Sequence, residues 1–559
     1  GRPKTGQSLD EVRDLLLEEV AKLREGDFDE KLIEATINNY KMQLMRSFEE
    51  NDSRAILYVY SYISGADWAD EVARLDRMSK IPKQDVDEQK IAAPKITPIV
   101  TNRDSQSEFL SEIQTSQVQP IEPVFVDYKK DMSQFEAQPG IDVLYKKNET
   151  NDIFTLIYVF NTGTENDPAL NLAFNYLSYL GTDKMTAEEI ASEMYDIACS
   201  FYMNAGANQS SIQITGLSEN MGKAMEIVEG LIAGAKPDEA ILENCKADML
   251  KSRADAKLNQ SRCFGALQRY LFYGGDFIRR TTLTDPALQA LTSEQLLAKI
   301  GGLMGKQHEV LYYGPQKEAE VKSALAEHHK VAADLQPLEK KFSTLLPTDA
   351  NKVVLAQYDA KQLYYLQFSN RGEKFDVAAD PEITLYNEYF GGGMNTIVFQ
   401  EMREARGLAY TAWATLATPS NANGDYSYYA FIATQNDKMQ KAVEAFDDII
   451  NNMPESEKAF GIAKEALVSR LRTERTVKDG VLWSYLRARD LGLDAPRDKQ
   501  IFEKVQSMPL DDVKAAQQKW VKGRKYVYGI LGDIQDLDLN YLKTLGPIQT
   551  VSQEEIFGY

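Results

Sequence analysis

Apolar residues return every third or fourth position through the first 90 residues of the chain, the spacing of amphipathic helices. Ser8 and Glu11 make a capping box ahead of a stripe of Val12, Leu15, Leu16 and Leu23. After Gly26-Asp27, a second helix carries Leu32, Ile33, Thr36, Ile37, Tyr40 and Leu44 on one side. A third, over 53–64, carries Ile56, Leu57, Val59, Tyr60 and Ile63. These stripes would suit an independent helical bundle, yet the region contains no strand for them to cover. Between 91 and 123 the periodicity stops. Prolines at 94, 98, 120 and 123 among Ser, Thr and Asn predict a linker, with a short helix around Phe109 to Ile113.

From 124 onward β-favouring runs alternate with helical stripes, and one unit is read twice. Strand-like Ile153 to Phe160 runs into a turn with Gly163, and Leu363 to Phe368 into a turn with Gly372. Asp167-Pro168 and Asp380-Pro381 each predict a helix start. Val310 to Gly314 and Tyr526 to Gly532 are closing strands. The Asp-Pro pairs lie 213 positions apart and the closing Gly314 and Gly532 lie 218 apart, offsets that argue for duplication. In the second copy, Ala409–Thr418 and Asp425–Thr434 flank Pro419 to Gly424 as a hairpin, followed by a stripe of Met439, Ala442, Val443, Phe446 and Ile450. Helices segregated from mainly antiparallel strands give the α+β class, each copy a two-layer sandwich. The predicted organisation is a helical segment over 1–90, a linker over 91–123, a first α+β repeat over 124–335 and a second over 336–559.

The densest pattern lies at 380–414. Asp380 is placed to cap a helix with Pro381 in its first turn, and Gly391 to end it. Gly391-Gly392-Gly393-Met394-Asn395 then leads to a second helix, Thr396 to Arg406, with Val398, Met402 and Ala405 on one face. Gly407 is the expected left-handed terminator before β-favouring Tyr410 to Trp413. The turn brings Arg403 and Tyr410 toward one place.

This string resembles the glycine-rich helix and Arg-x-x-x-x-Gly-Leu-x-Tyr segment of the pitrilysin, insulinase and mitochondrial-processing-peptidase family, zinc peptidases of the inverted His-x-x-Glu-His class. The resemblance implies the same α+β sandwiches. It also implies that Arg403 and Tyr410 reach from a zinc-less C-terminal half into a zinc site owned by a partner half. There the tyrosine would hydrogen-bond the scissile carbonyl and the arginine would position the peptide. It further suggests that residues 1–90 are the closing helices of an α+β domain whose sheet lies upstream of Gly1, so that Gly1-Arg2-Pro3-Lys4 begins in the middle of a longer whole.

Composition narrows the picture. Hydrophobic residues at 43% and charged residues at 26% suit folded globular protein. A net charge of −21 argues against nucleic acid and against acidic membrane surfaces. No run is long enough for a spanning helix. Cys199, Cys245 and Cys263 make no disulfide framework, and Cys199 reads as a small core residue. The compartment stays open, an exported or periplasmic destination included.

The chemistry of a zinc peptidase is missing from the sequence. A catalytic zinc needs two imidazoles, a third ligand and a general base. His308, His328 and His329 are the three histidines, and they are expected at the surface. Counting from the resemblance, Leu172, Asn175 and Tyr176 occupy the His, Glu and His positions of the first repeat. None of the three can do that work. Aligning Met194 with Met402 sets Tyr195 opposite Arg403, so the first repeat lacks the Arg–Tyr pair too. No metal or cofactor is therefore expected on this chain, which would be inactive alone; its expected partners are a zinc-bearing half and an unfolded peptide. The alternatives are a non-catalytic scaffold subunit of the same fold and a free-standing peptide-binding module.

Overall fold

The computed structural model describes residues 7–78, 80, 107–116 and 119–559. Ser8 and Glu11 close their capping box, and helices follow over Leu9–Glu25, Lys31–Glu49 and Asn51–Ser64. Of the expected linker, 91–106 and 117–118 lie outside the described residues. The short helix within it spans Glu108–Thr115.

Two six-stranded sheets follow. The first is built from β1 (Ser133–Gln138), β2 (Ile141–Lys147), β3 (Ile153–Phe160), β4 (Cys199–Ala205), β5 (Ser210–Leu217) and β6 (His308–Gly314) in the order β1-β2-β6-β3-β5-β4. The second uses β7 (Lys352–Gln357), β8 (Gln362–Lys374), β9 (Thr411–Ala417), β10 (Asp425–Gln435), β11 (Val527–Gly532) and β12 (Ile548–Val551) in the order β12-β7-β11-β8-β10-β9. Five strands of each repeat the same order and sense, including one parallel pair, β2 with β6 and β7 with β11. The sixth differs: β1 comes before its repeat and pairs antiparallel, whereas β12 comes after and pairs parallel. The chain is thus a duplicated α+β sandwich preceded by a helical segment.

Strands such as Ile153–Phe160 read as almost unbroken apolar runs because both faces of each sheet are covered. Phe154, Leu156, Tyr158 and Phe160 face the helices of their own repeat, and Ile157 and Val159 face the other way. What covers those outer faces comes from the opposite repeat. Helix Gln260–Thr281, broken at Gly274 (φ 81°), lays Cys263, Leu267 and Leu271 on Val354, Leu366 and Phe368 of the second sheet. Helix Gly480–Asp490 returns the arrangement, setting Val481, Leu482 and Leu486 on Leu144, Ile157 and Leu311 of the first. The two repeats are interlocked by exchanged helices.

Helix Lys31–Glu49 docks on the first repeat. Met42 packs with Ile153, Ala198 and Leu217, and Asn39 Nδ2 donates to the Tyr195 carbonyl at 2.8 Å. Its neighbours leave their stripes in solvent: Leu15, Leu16 and Leu23 on one helix, and Ile56, Tyr60 and Ile63 on another, are each more than half exposed.

The histidines depart from expectation. His308 and His329 are buried, with their Nε2 atoms 2.8 Å apart, and only His328 is partly exposed. His308 Nδ1 lies 2.8 Å from the Lys306 carbonyl oxygen and His329 Nδ1 lies 2.5 Å from Glu229 Oε1. The two rings thus form one buried chain of contacts from the Lys306 carbonyl to the Glu229 carboxyl group. Strand β6 and the end of helix Glu318–His328 bring these residues together from distant sequence, which local periodicity does not register.

Candidate functional site

Helix Asp380–Phe390 opens the site region. Asp380 is not its cap. The carboxylate is buried inside the first turn, where Arg497 donates to it through Nε at 2.6 Å and Nη2 at 3.0 Å. Ala379 takes the cap position, and Asp376 caps the short turn before it. A buried carboxylate gains more from a bidentate guanidinium than from backbone N–H groups already inside the turn. Gly391 ends the helix, its N–H donating to Asn387 O. Its lack of a side chain is a packing matter: a Cβ there would overlap the Ala414 carbonyl oxygen, while Ala414 N–H donates to Gly391 O at 2.9 Å. Asn387 fixes the same junction, donating to Leu416 O at 2.9 Å and accepting from Leu416 N–H at 2.8 Å.

After the glycine loop the chain makes a single α-turn, Ile397–Phe399, and then a π-helix over Gln400–Ala405. The wider winding alters the expected face. Val398 and Met402 are fully buried, but Ala405 is exposed, because a π-turn carries it past the core. Gly407 does adopt the left-handed conformation (φ 56°), and Leu408 N–H donates back to Met402 O at 2.9 Å. Thr434 Oγ1 on β10 holds Leu408 O at 2.6 Å, and Lys438 reaches Gly407 O at 3.3 Å. Arg406 ties the π-helix down through Glu401 at 3.3 Å and Asp448 at 2.8 Å.

This scaffold brings Arg403 and Tyr410 together. The guanidinium carbon stands 5.1 Å from the Tyr410 ring centroid and 4.9 Å from that of Phe399, one helical turn earlier. The cation lies against two aromatic rings, with Glu404 Oε1 3.5 Å from its Nε, contacts that restrict a long side chain. Tyr410 itself is 73% exposed, and its hydroxyl takes no hydrogen-bond partner among the described residues. The sequence signals Phe399 only through its i, i+4 spacing to Arg403.

The first repeat offers the contrast. Helix Leu170–Leu177 holds the three positions that the resemblance equates with metal ligands and base. Leu172 and Tyr176 are wholly buried, and the Tyr176 hydroxyl accepts from Asp238 N–H at 2.7 Å and lies 2.8 Å from Ser293 Oγ. Asn175 is exposed. A leucine, an amide and a phenol already bonded to core groups do not fit a zinc ion. Among the described residues, no group of three or more His, Cys, Asp or Glu side chains could hold a metal ion. Helix Ala187–Asp196 and left-handed Ala198 (φ 48°) stand where the second repeat has its π-helix and Gly407. At that end of the first repeat Tyr195 is engaged by Asn39 and lies 3.3 Å from Thr36 Oγ1, whereas the matching end of the second repeat is open.

Residues 307–467 match the family model described as the peptidase M16 inactive domain. Over this span the chain matches the M16 family, and as a whole it is similar to the C-terminal half of pitrilysin-like peptidases. An uncharacterised zinc protease of Rickettsia bellii is 23% identical over 312 residues, which is 54% of this chain and 70% of that protein. The crystal structure of a peptidase M16 inactive domain from Pseudomonas fluorescens covers 72% of this chain and 98% of its own, with a TM-score of 0.57 and 18% identity. The periplasmic protease PqqL of Escherichia coli aligns with 82% of this chain at a TM-score of 0.56 and 12% identity, and the chain spans half of its length. These structural likenesses concern the fold. No helix among the described residues is long and apolar enough to cross a membrane.

Proposed function

We propose that this M16 half serves a peptidase that hydrolyses unfolded peptides, with Arg403 and Tyr410 completing a zinc site held by a partner half. The observation that carries the reading is the Arg403–Tyr410 pair: a clamped guanidinium beside an exposed phenol at the open end of the second repeat. The zinc of the partner half would supply activated water for peptide-bond cleavage; the rest is this chain's contribution. The phenol donates to the scissile carbonyl oxygen as negative charge builds on it, a preorganised contact that strengthens toward the transition state. The guanidinium, oriented by Phe399, offers a planar fork to peptide carbonyl or carboxylate oxygens and keeps the chain in register.

The N-terminal helices support a two-part assembly. Their apolar stripes are solvent-exposed, as expected of helices that close onto another sheet. The alignment with PqqL takes in a larger share of this chain than residues 124–559 alone provide.

The test mixes the chain with its zinc-bearing half and follows turnover of an unfolded peptide. Tyr410→Phe, which keeps the ring over Arg403 and removes the donor, is expected to lower kcat about 100-fold with little change in KM. Unchanged turnover would remove the assigned role and leave the scaffold reading.

A further inference from the structure

While Leu172 and Tyr176 pack into the core, helix Leu170–Leu177 keeps another side open. Asn171 and Asn175, four apart and both exposed, look together into a cavity of about 740 Å³. Its other walls come from helices Glu239–Lys257 and Gln260–Thr281 and from the segment around Tyr559, so it lies where the repeats meet. Three guanidinium groups converge on it, Arg253, Arg262 and Arg269, in a chain whose net charge is −21.

Their partners differ. Arg253 is ion-paired with Asp285, donates to Leu283 O at 2.6 Å and lies 4.3 Å from the Tyr559 ring centroid. Arg269 donates to Thr281 Oγ1 at 2.8 Å, with Glu165 near enough to act on its charge. Arg262 is exposed and makes no ion pair among the described residues. Asp248 is the carboxylate on the wall itself. The cavity is therefore lined by one guanidinium with no ion pair among the described residues and by two side-chain amides, a donor set that suits a carboxylate rather than a metal ion.

We propose that this cavity is a carboxylate-binding site that receives the C-terminal carboxylate or an acidic side chain of an extended peptide. That the carboxylate belongs to a peptide rests on the peptidase reading above; the anion chemistry does not, and it is measured without the zinc-bearing half. Arg262 supplies the paired N–H donors and Asn171 and Asn175 complete the shell, while Arg253 and Arg269 hold the walls through their protein partners.

The experiment is calorimetric titration of the full chain with three N-acetylated Ala-Gly octapeptides: one with a free C-terminal carboxyl, one C-terminally amidated, and one amidated with a single internal Glu. Binding of the free acid, or of the Glu peptide, at least about tenfold tighter than the neutral amide is expected, and which of the two binds identifies the source of the carboxylate. Arg262→Gln is expected to reduce the acid to the level of the amide. Asn175→Asp, which places a like charge in the cavity, should weaken it by a similar factor, both variants melting at the native temperature. Equal affinity for all three peptides, binding of none, or an acid unaffected by Arg262→Gln would overturn the proposal. Any of these leaves the Tyr410→Phe turnover experiment standing, and failure there leaves this site standing.

Discussion

At the scale of single residues, neighbours far apart in sequence decide what a side chain does. His308 is the clearest case. Burial and the adjacent His329 push its imidazole down to about 4, below the roughly 6.5 of a free histidine. Between those values the unfolded chain binds a proton that the folded chain refuses, so acidification draws stability away from the fold. Asp447 acts in the opposite sense over part of that window, because burial and Glu444 raise its carboxyl to about 6. The informative quantity is therefore a difference. From pH 7 to pH 4, the stability of His308→Gln relative to the native chain, measured by denaturant titration, is expected to shift by about 3 kcal/mol in the variant's favour. A difference that stays flat over this range would contradict the assignment. The sequence places all three histidines at the surface because it shows each only among its chain neighbours; Glu229, which completes the triad, is 100 positions from His329. Arg403 and Tyr410 are legible for the opposite reason. Seven positions apart and joined by one glycine turn, they need only local geometry to meet.

At the scale of elements, the glycines of the site region separate into two kinds. Gly391 is required by contact, since any side chain would strike the Ala414 backbone, whereas Gly407 has open space around it and is required by its left-handed backbone. Gly391→Ala is expected to cost about 1–3 kcal/mol through displacement of β9, and Gly407→Ala about 1 kcal/mol through backbone strain alone. Chemical denaturation reads both. No loss in Gly391→Ala would show that β9 is not seated on that residue. The strand runs and the hairpin of the second repeat are plain from alternation and turn residues, and β3 occupies the predicted Ile153 to Phe160. The π-helix is not, because Thr396 to Arg406 carries an α-helical period, and only the packed structure shows Ala405 turned out of it. Asp380 follows the same rule: an Asp-Pro start suggests a cap until Arg497, 117 positions away, claims the carboxylate.

At the scale of the whole molecule, the exchanged helices are expected to make the repeats unfold as one cooperative body. Duplication is visible in the sequence as spaced Asp-Pro pairs and closing glycines. The exchange is not visible, because helix Gln260–Thr281 has the same apolar stripe whichever sheet it covers. Leu271 packs so closely on the second sheet that a Cβ at Gly529 would overlap it. Leu271→Ala, a change in a helix of the first repeat, is expected to cost about 2–5 kcal/mol and to lower a single unfolding transition shared by both repeats. Two separate transitions, of which only one moves, would show that the repeats fold independently. The proposed assembly would cover the exposed stripes of the N-terminal helices and the open end of the second repeat.

The central claim is spatial: the Tyr410 phenol lies at a partner's metal. It is read most directly by labelling the chain with 3-fluorotyrosine, assigning Tyr410 by its absence from Tyr410→Phe, and adding the partner half loaded with paramagnetic cobalt(II) in place of zinc. Broadening and displacement of the Tyr410 fluorine resonance, with no such change when the diamagnetic zinc form is added, is the expected result. A Tyr410 resonance identical in the cobalt and zinc complexes would place the phenol far from the metal and contradict the account.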